Sequence, residues 1–130
     1  MVLIIGLPNA GKTTYSKRFF GVVHFDDVKG GRHKWDNVVK MVEADPSVVI
    51  EGVYAKASHR KPLIDACKGK KICIWLDTPM DVCVERERTG RKRSEHMVVL
   101  AARSFEPPTL EEGWDEIIVI GDGNGSISHK

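Results

Sequence analysis

The chemistry in this sequence is densest at Gly6-Leu7-Pro8-Asn9-Ala10-Gly11-Lys12-Thr13, a complete G-x-x-x-x-G-K-T. Glycines at both ends permit backbone angles that turn successive N–H groups into a concave nest for phosphate oxygens. Lys12 has the reach for the β- and γ-phosphates of a nucleotide, and the Thr13 hydroxyl is a ligand for Mg²⁺. The motif works only where an apolar strand precedes it and a helix follows. The wholly apolar run at residues 2–5 supplies the first, and a helix is expected from the loop to about Phe19. Gly6, Asn9, Ala10, Gly11, Lys12, Thr13 and Thr14 are therefore the expected contacts to a nucleoside triphosphate.

Acids and arginines further along suit a phosphoryl-transfer site. Asp26 follows a second short strand at residues 22–25, on the edge where ligands bind in open α/β sheets, and is the candidate base for an acceptor hydroxyl. The blander reading is a turn or capping aspartate. Glu51 ends a third strand on the same edge and suits a water of the Mg²⁺ shell; an ordinary loop glutamate is the alternative. Arg86, Arg88, Arg91, Lys92 and Arg93 crowd one stretch. Such runs are usually solvated faces, but guanidinium groups also stabilise a phosphoryl group in transit. Lys56, His59, Arg60 and Lys61 form a second basic patch, useful to a nucleic acid and equally common on any surface. The five histidines lack metal-ligand spacing and read as structural or exposed. Cys83 and Met97 read as core from their helical spacing; for Trp35 the same spacing favours core packing over the alternative, a place facing the acceptor cleft.

The elements that must position these groups alternate in type. Helices are expected around Trp35, Val38, Val39 and Val42; after Ser58 as a cap, with Pro62 in the first turn; after the Thr78-Pro79 cap; and after Ser94. Strands are expected at residues 48–50, 72–76 and 117–120. Alternation of this kind means right-handed βαβ units. The expected fold is α/β, a P-loop three-layer sandwich of about five parallel strands with helices on both faces. One domain spans 1–120, and 121–130 reads as a flexible tail.

Composition agrees with this. The chain has 130 residues, 42% hydrophobic and 29% charged, with a net charge of +2. That fits one globular domain. No apolar run approaches the roughly 20 residues that span a bilayer. The run after Met1 is too short for a signal-peptide core and has no basic lead. The three cysteines have no C-x-x-C spacing and read as buried thiols, so a cytoplasmic location without membrane association is expected. There is no N-K-x-D for guanine, and Asp27-Val28-Lys29-Gly30 alone is a weak D-x-x-G match; a small phosphotransferase remains.

Several motifs in order resemble the P-loop kinases of the polynucleotide 5′-kinase group. They are the loop through Thr14, Asp26-Asp27, Val49-Ile50-Glu51-Gly52, Leu76-Asp77-Thr78-Pro79 with Cys83 and Arg86, and Phe105-Glu106-Pro107-Pro108-Thr109 with Asp115-Glu116-Ile117. The resemblance implies ATP and Mg²⁺ as cofactors and the 5′ end of DNA or RNA as acceptor. It implies catalytic roles for Lys12, Asp26, Arg86 and Arg91, nucleotide contact by Arg88, and metal ligation through Thr13 and Glu51. Asp27, Lys29 and Arg32 would lie toward the acceptor; the group usually carries Arg where this chain has Lys29. A small-molecule or nucleoside kinase on the same scaffold is the alternative acceptor reading, and a non-catalytic nucleotide-binding module the second alternative. No obligate protein partner is implied.

Overall fold

The computed structural model describes residues 1–89 and 95–121, with the backbone of 127–129. The apolar run after Met1 forms β1 (Val2–Gly6), in the interior of the sheet. Leu3, Ile4 and Ile5 are all fully buried. Because successive side chains on a strand point to opposite faces, a wholly apolar strand must be covered on both. Leu3 and Ile5 pack into one core with Val38, Val42, Leu63 and Ile64, and Ile4 packs into a second with Ala10, Cys83 and Val98. Hence α2 (Lys34–Ala44) and α3 (Ala57–Ala66) cover one face. On the other lie α1 (Lys12–Ser16), α4 (Met80–Thr89) and α5 (Glu95–Ser104).

With β2 (Val23–His24), β3 (Val49–Glu51), β4 (Ile72–Asp77) and β5 (Glu116–Gly121), the parallel strands stand in the order β2-β3-β1-β4-β5. Register places Val2 beside both Val49 and Ile72. This is the α/β sandwich that the alternation predicts. A further strand, β6 (Ile127–His129), runs antiparallel to β5, with Ile118 opposite His129, in the segment that reads from sequence as a tail.

Local details differ from the sequence reading where tertiary contacts decide. α1 ends at Ser16, and the chain continues to Phe19 through tighter turns, with Lys17 N–H donating to Thr14 O and Phe19 N–H to Ser16 O. β2 stops at His24, and Phe25–Asp27 winds into a 3₁₀ turn. Ser58 does not cap α3. The helix starts two residues earlier, at Ala57, where the Glu106 carboxylate accepts from Ala57 N–H at 2.7 Å. Pro62 consequently lies beyond the first turn. In α5, Val98 faces the core while Met97 is 55% exposed, so Met97 is not a core residue. Ser94 lies outside the described residues. Cys67, Cys73 and Cys83 are free and buried, and burial raises the thiol pKa of both Cys73 and Cys83.

Candidate active site

All five parallel strands end on one edge, and the chain after each contributes to a single cleft of about 650 Å³. The phosphate-binding loop follows β1 and Asp26 follows β2. Glu51 and Gly52 close β3, Thr78 follows β4, and Gly121 ends β5. The crevice beyond the carboxyl ends of parallel strands is the usual ligand site of open α/β sheets.

Backbone geometry in the loop explains its residues. Gly11 has φ 100 and Asn9 φ 67, both left-handed, a conformation that glycine and asparagine tolerate best. Gly6 is required for a different reason: a Cβ there would stand 3.0 Å from Leu76 O and 3.1 Å from Ala10 Cβ. Lys12 is 7% exposed, and its Nζ donates to the carbonyls of Gly6 (3.1 Å) and Leu7 (2.7 Å). Thr13 and Thr14 line the cleft beside it. The loop is pinned from behind. Thr78 Oγ1 donates to Ala10 O at 2.8 Å, and Arg86 Nη1 donates to Asn9 O at 2.9 Å. Asn9 Nδ2 in turn donates to the buried Glu87 at 3.3 Å.

Arg86 thus sits on the cleft as the sequence anticipates. Arg88 does not: it pairs with Glu95 at 2.7 Å and with Glu85 at 3.6 Å, bridging α4 to α5. The Glu95 hydrogen bond raises the Arg88 pKa, and Arg88 lowers that of Glu95. Arg91 lies outside the described residues.

At the other end of the cleft, the exposed Asp26 shares the wall with Glu51, which is buried at the end of β3. Glu51 Oε1 is 2.7 Å from His24 Nδ1, a pairing set by the β2–β3 register that aligns His24 with Glu51. His24 has no metal spacing in the sequence; only the knowledge that β2 and β3 are neighbours would have exposed the pair. Arg18, stacked 4.4 Å over Tyr15, also lines the cleft and was not singled out. Asp27, Lys29 and Arg32 are exposed but do not line it.

Thr13 and Glu51 bring a hydroxyl and a carboxylate to one cleft. Mg²⁺ typically takes one or two protein oxygens and completes its shell with phosphate and water, so this donor set fits an ion arriving with a nucleotide. Among the described residues no group of three or more His, Cys, Asp or Glu side chains stands ready for a metal alone.

The second basic patch requires a correction. Arg60 is 0% exposed, and its guanidinium is wholly engaged. Nε and Nη2 each donate to one Glu112 carboxylate oxygen at 2.9 Å, Nη1 donates to Tyr54 O and Ala55 O, and Nη2 also donates to Glu106 O. Lys61 pairs with Asp65 along α3. Glu106, part of the C-terminal motif, and Glu112, between its two halves, therefore hold architecture around α3. No helix among the described residues is long and apolar enough to cross a membrane.

This strand order, with a phosphate-binding loop between β1 and α1 and an arginine of α4 against the loop, is the P-loop kinase fold. Solved structures agree. A gluconokinase from Sinorhizobium meliloti superposes with a TM-score of 0.77 at 14% identity, covering 95% of this chain and 82% of the other. An unliganded sugar kinase from a Janibacter species gives 0.75 at 16% identity, covering 92% of this chain and 83% of the other. Neither is a polynucleotide kinase, so the comparisons support the P-loop kinase fold without supporting that group within it. No protein-family model matches the sequence, and no curated protein matches it significantly.

Proposed function

We propose that the protein is an ATP-dependent kinase that phosphorylates a hydroxyl of a small polar molecule of the sugar class. The observation that carries this reading is that Lys12 and Thr13 share one cleft with Asp26 and Glu51. The loop N–H groups and Lys12 hold the β- and γ-phosphates, and Arg86 and Arg18 add positive charge along the wall. Asp26 accepts the acceptor's hydroxyl proton as that oxygen bonds to the γ-phosphorus and the bond to the bridging oxygen of ADP breaks. Thr13 and Glu51 are the residues that would hold Mg²⁺, which when bound neutralises charge on the phosphate oxygens. His24 fixes one oxygen of Glu51.

The sugar class is favoured by the names of the two fold neighbours and by a cleft within the roughly 300–1,000 Å³ range of small-molecule sites. The motifs' polynucleotide 5′ end is the second reading. Lys29 and Arg32, exposed close in sequence to Asp26, favour it, while the burial of Arg60 removes part of its support.

The test is γ-labelled ATP offered with sugars, sugar acids, nucleosides and 5′-hydroxyl oligonucleotides. Transfer to sugars is expected, with Asp26→Asn lowering kcat by about 10² to 10⁴-fold while ATP still binds. Transfer only to oligonucleotides, with affinity falling steeply in salt, would establish the second reading. Transfer to no acceptor would refute kinase activity.

A further inference from the structure

An aromatic cluster adjoins, in sequence, residues that line the cleft. Phe25, Trp35, Tyr54 and His59 pack ring to ring, with centroids 4.5 Å apart for Phe25–Trp35, 5.3 Å for Trp35–Tyr54 and 5.0 Å for Trp35–His59. Phe25 immediately precedes Asp26, and Tyr54 immediately follows Val53, both of which line the cleft. Trp35 is common to all three pairs and is also the exposed member of the cluster. It is 42% exposed, although Val38 and Val42 on the same helix are buried. The sequence pattern places it in the core, whereas the fold gives it an outward surface.

The backbone is specialised to build this arrangement. Tyr54 has φ 39, a sparsely populated conformation for a residue with a side chain, and its buried hydroxyl has no hydrogen-bond partner among the described residues. Gly52 admits no side chain, because a Cβ would lie 2.9 Å from the Tyr54 ring and 3.0 Å from Phe25 Cβ. Strain of this sort clusters at ligand sites. A tryptophan met edge-on by Tyr54 and at a tilt by Phe25 and His59 offers contact area at little entropic cost.

The surrounding charge is mainly positive. Lys34 Nζ lies 4.6 Å over the Phe25 ring and donates to the Asp26 carbonyl at 3.1 Å. Lys29, Arg32 and Lys56 are exposed nearby in sequence, and none of these four cations forms an ion pair among the described residues. Asp26, Asp27 and Asp36 are the exposed acids on the same segments.

We infer that Trp35 and Lys34 form the acceptor-recognising surface, and that the acceptor is an anionic sugar derivative, a sugar acid or a sugar phosphate. Its C–H face lies on the indole, its carboxylate or phosphate meets Lys34, and its reacting hydroxyl reaches Asp26. The inference rests on the kinase reading above and adds to it the charge of the substrate and the residues that select it.

The experiment measures acceptor and ATP kinetics separately for the intact protein and for Trp35→Ala, Trp35→Phe and Lys34→Gln. Acceptors are neutral aldoses, the corresponding aldonates, and sugar phosphates. The expected result is a preference for one anionic series over the neutral one, which also tells carboxylate from phosphate. Trp35→Ala should raise the acceptor KM about 10- to 30-fold with the ATP KM unchanged, and Trp35→Phe should recover much of it. Lys34→Gln should raise the KM of the anionic acceptors more than that of neutral aldoses, narrowing or erasing the anion preference, with the ATP KM and the melting temperature read alongside. Equal use of neutral and anionic sugars, an unchanged preference in Lys34→Gln, or an acceptor KM that does not respond to Trp35 would overturn the inference while leaving kinase activity standing. Oligonucleotides as sole acceptors, stacking a base on Trp35, would also overturn it. Absence of transfer by the wild-type protein would instead refute the kinase reading itself.

Discussion

Lys12 and Arg60 are the buried cations among the described residues, and their partners differ in kind. Arg60 meets fixed groups at every N–H: a carboxylate held bidentately by Nε and Nη2, and three backbone carbonyls. A guanidinium has five such donors, so none remains for a ligand. Lys12 donates to Gly6 and Leu7 carbonyls of the loop it serves, and it lies on the wall of the cleft. A neutral carbonyl is a weaker partner than a phosphate oxygen, so an ammonium held this way gains on exchanging one for the other. Burial alone does not distinguish a structural cation from a functional one; the exchangeability of its partners does.

The comparison breaks most visibly if Arg60 is removed. Arg60→Met leaves Glu112 without its bidentate partner and frees carbonyls from three residues, and stability should fall by about 3–5 kcal/mol in urea denaturation. Arg60→Met with Glu112→Leu should recover part of that, because the orphaned carboxylate is gone. If Arg60→Met kept its stability and lost activity alone, the assigned roles would be reversed.

Next in size is Lys12→Ala, with kcat expected to fall about 10² to 10³-fold, roughly 2.7–4 kcal/mol of barrier, and the melting temperature little changed. A large drop in melting temperature would make Lys12 a second structural cation.

Thr78→Val sharpens the contrast by loosening the loop from behind. Loss of the bond to Ala10 O should cost about 1 kcal/mol of stability and raise the ATP KM several-fold, with Thr78→Ser near wild type. The smallest effect belongs to His59, beside Arg60. Burial, then Lys56 and Arg60, lower its pKa below the ordinary histidine value of 6.5, with Glu106 opposing. Below pH 6.5 the unfolded chain then binds more protons than the native one. Stability should be intact above that pH and decline as pH falls below it, and His59→Phe should flatten this part of the urea-midpoint profile.

Legibility from sequence followed the range of the interactions. The loop from Gly6 to Thr14 was readable because its function depends on adjacent residues: glycines for backbone angles, a lysine and a hydroxyl at set offsets. Cys83 was placed correctly in the core by helical spacing. Trp35 and Met97 were not, since the same spacing cannot say where a helix face meets a neighbour and where it runs off the edge. Ser58 lost the cap of α3 to Glu106, 49 positions from Ala57. Nucleotide contact by Arg88 was an implication of the resemblance, and the sequence held no sign that Glu95 on the next helix would pair with it.

The sequence by itself determined a parallel α/β sheet, because apolar strands alternating with amphipathic helices can bury both sheet faces in few other ways. It also determined a glycine-bounded turn between β1 and the helix that follows. Only the tertiary structure decided which charged residues face the cleft. Glu51 meets His24 across 27 positions because β3 lies beside β2, and Arg60 meets Glu112 across 52 because α3 packs against the loop before β5. Such pairings are set by the order of strands and the seating of helices, and that order is a product of the whole core, with no counterpart in any short stretch of residues.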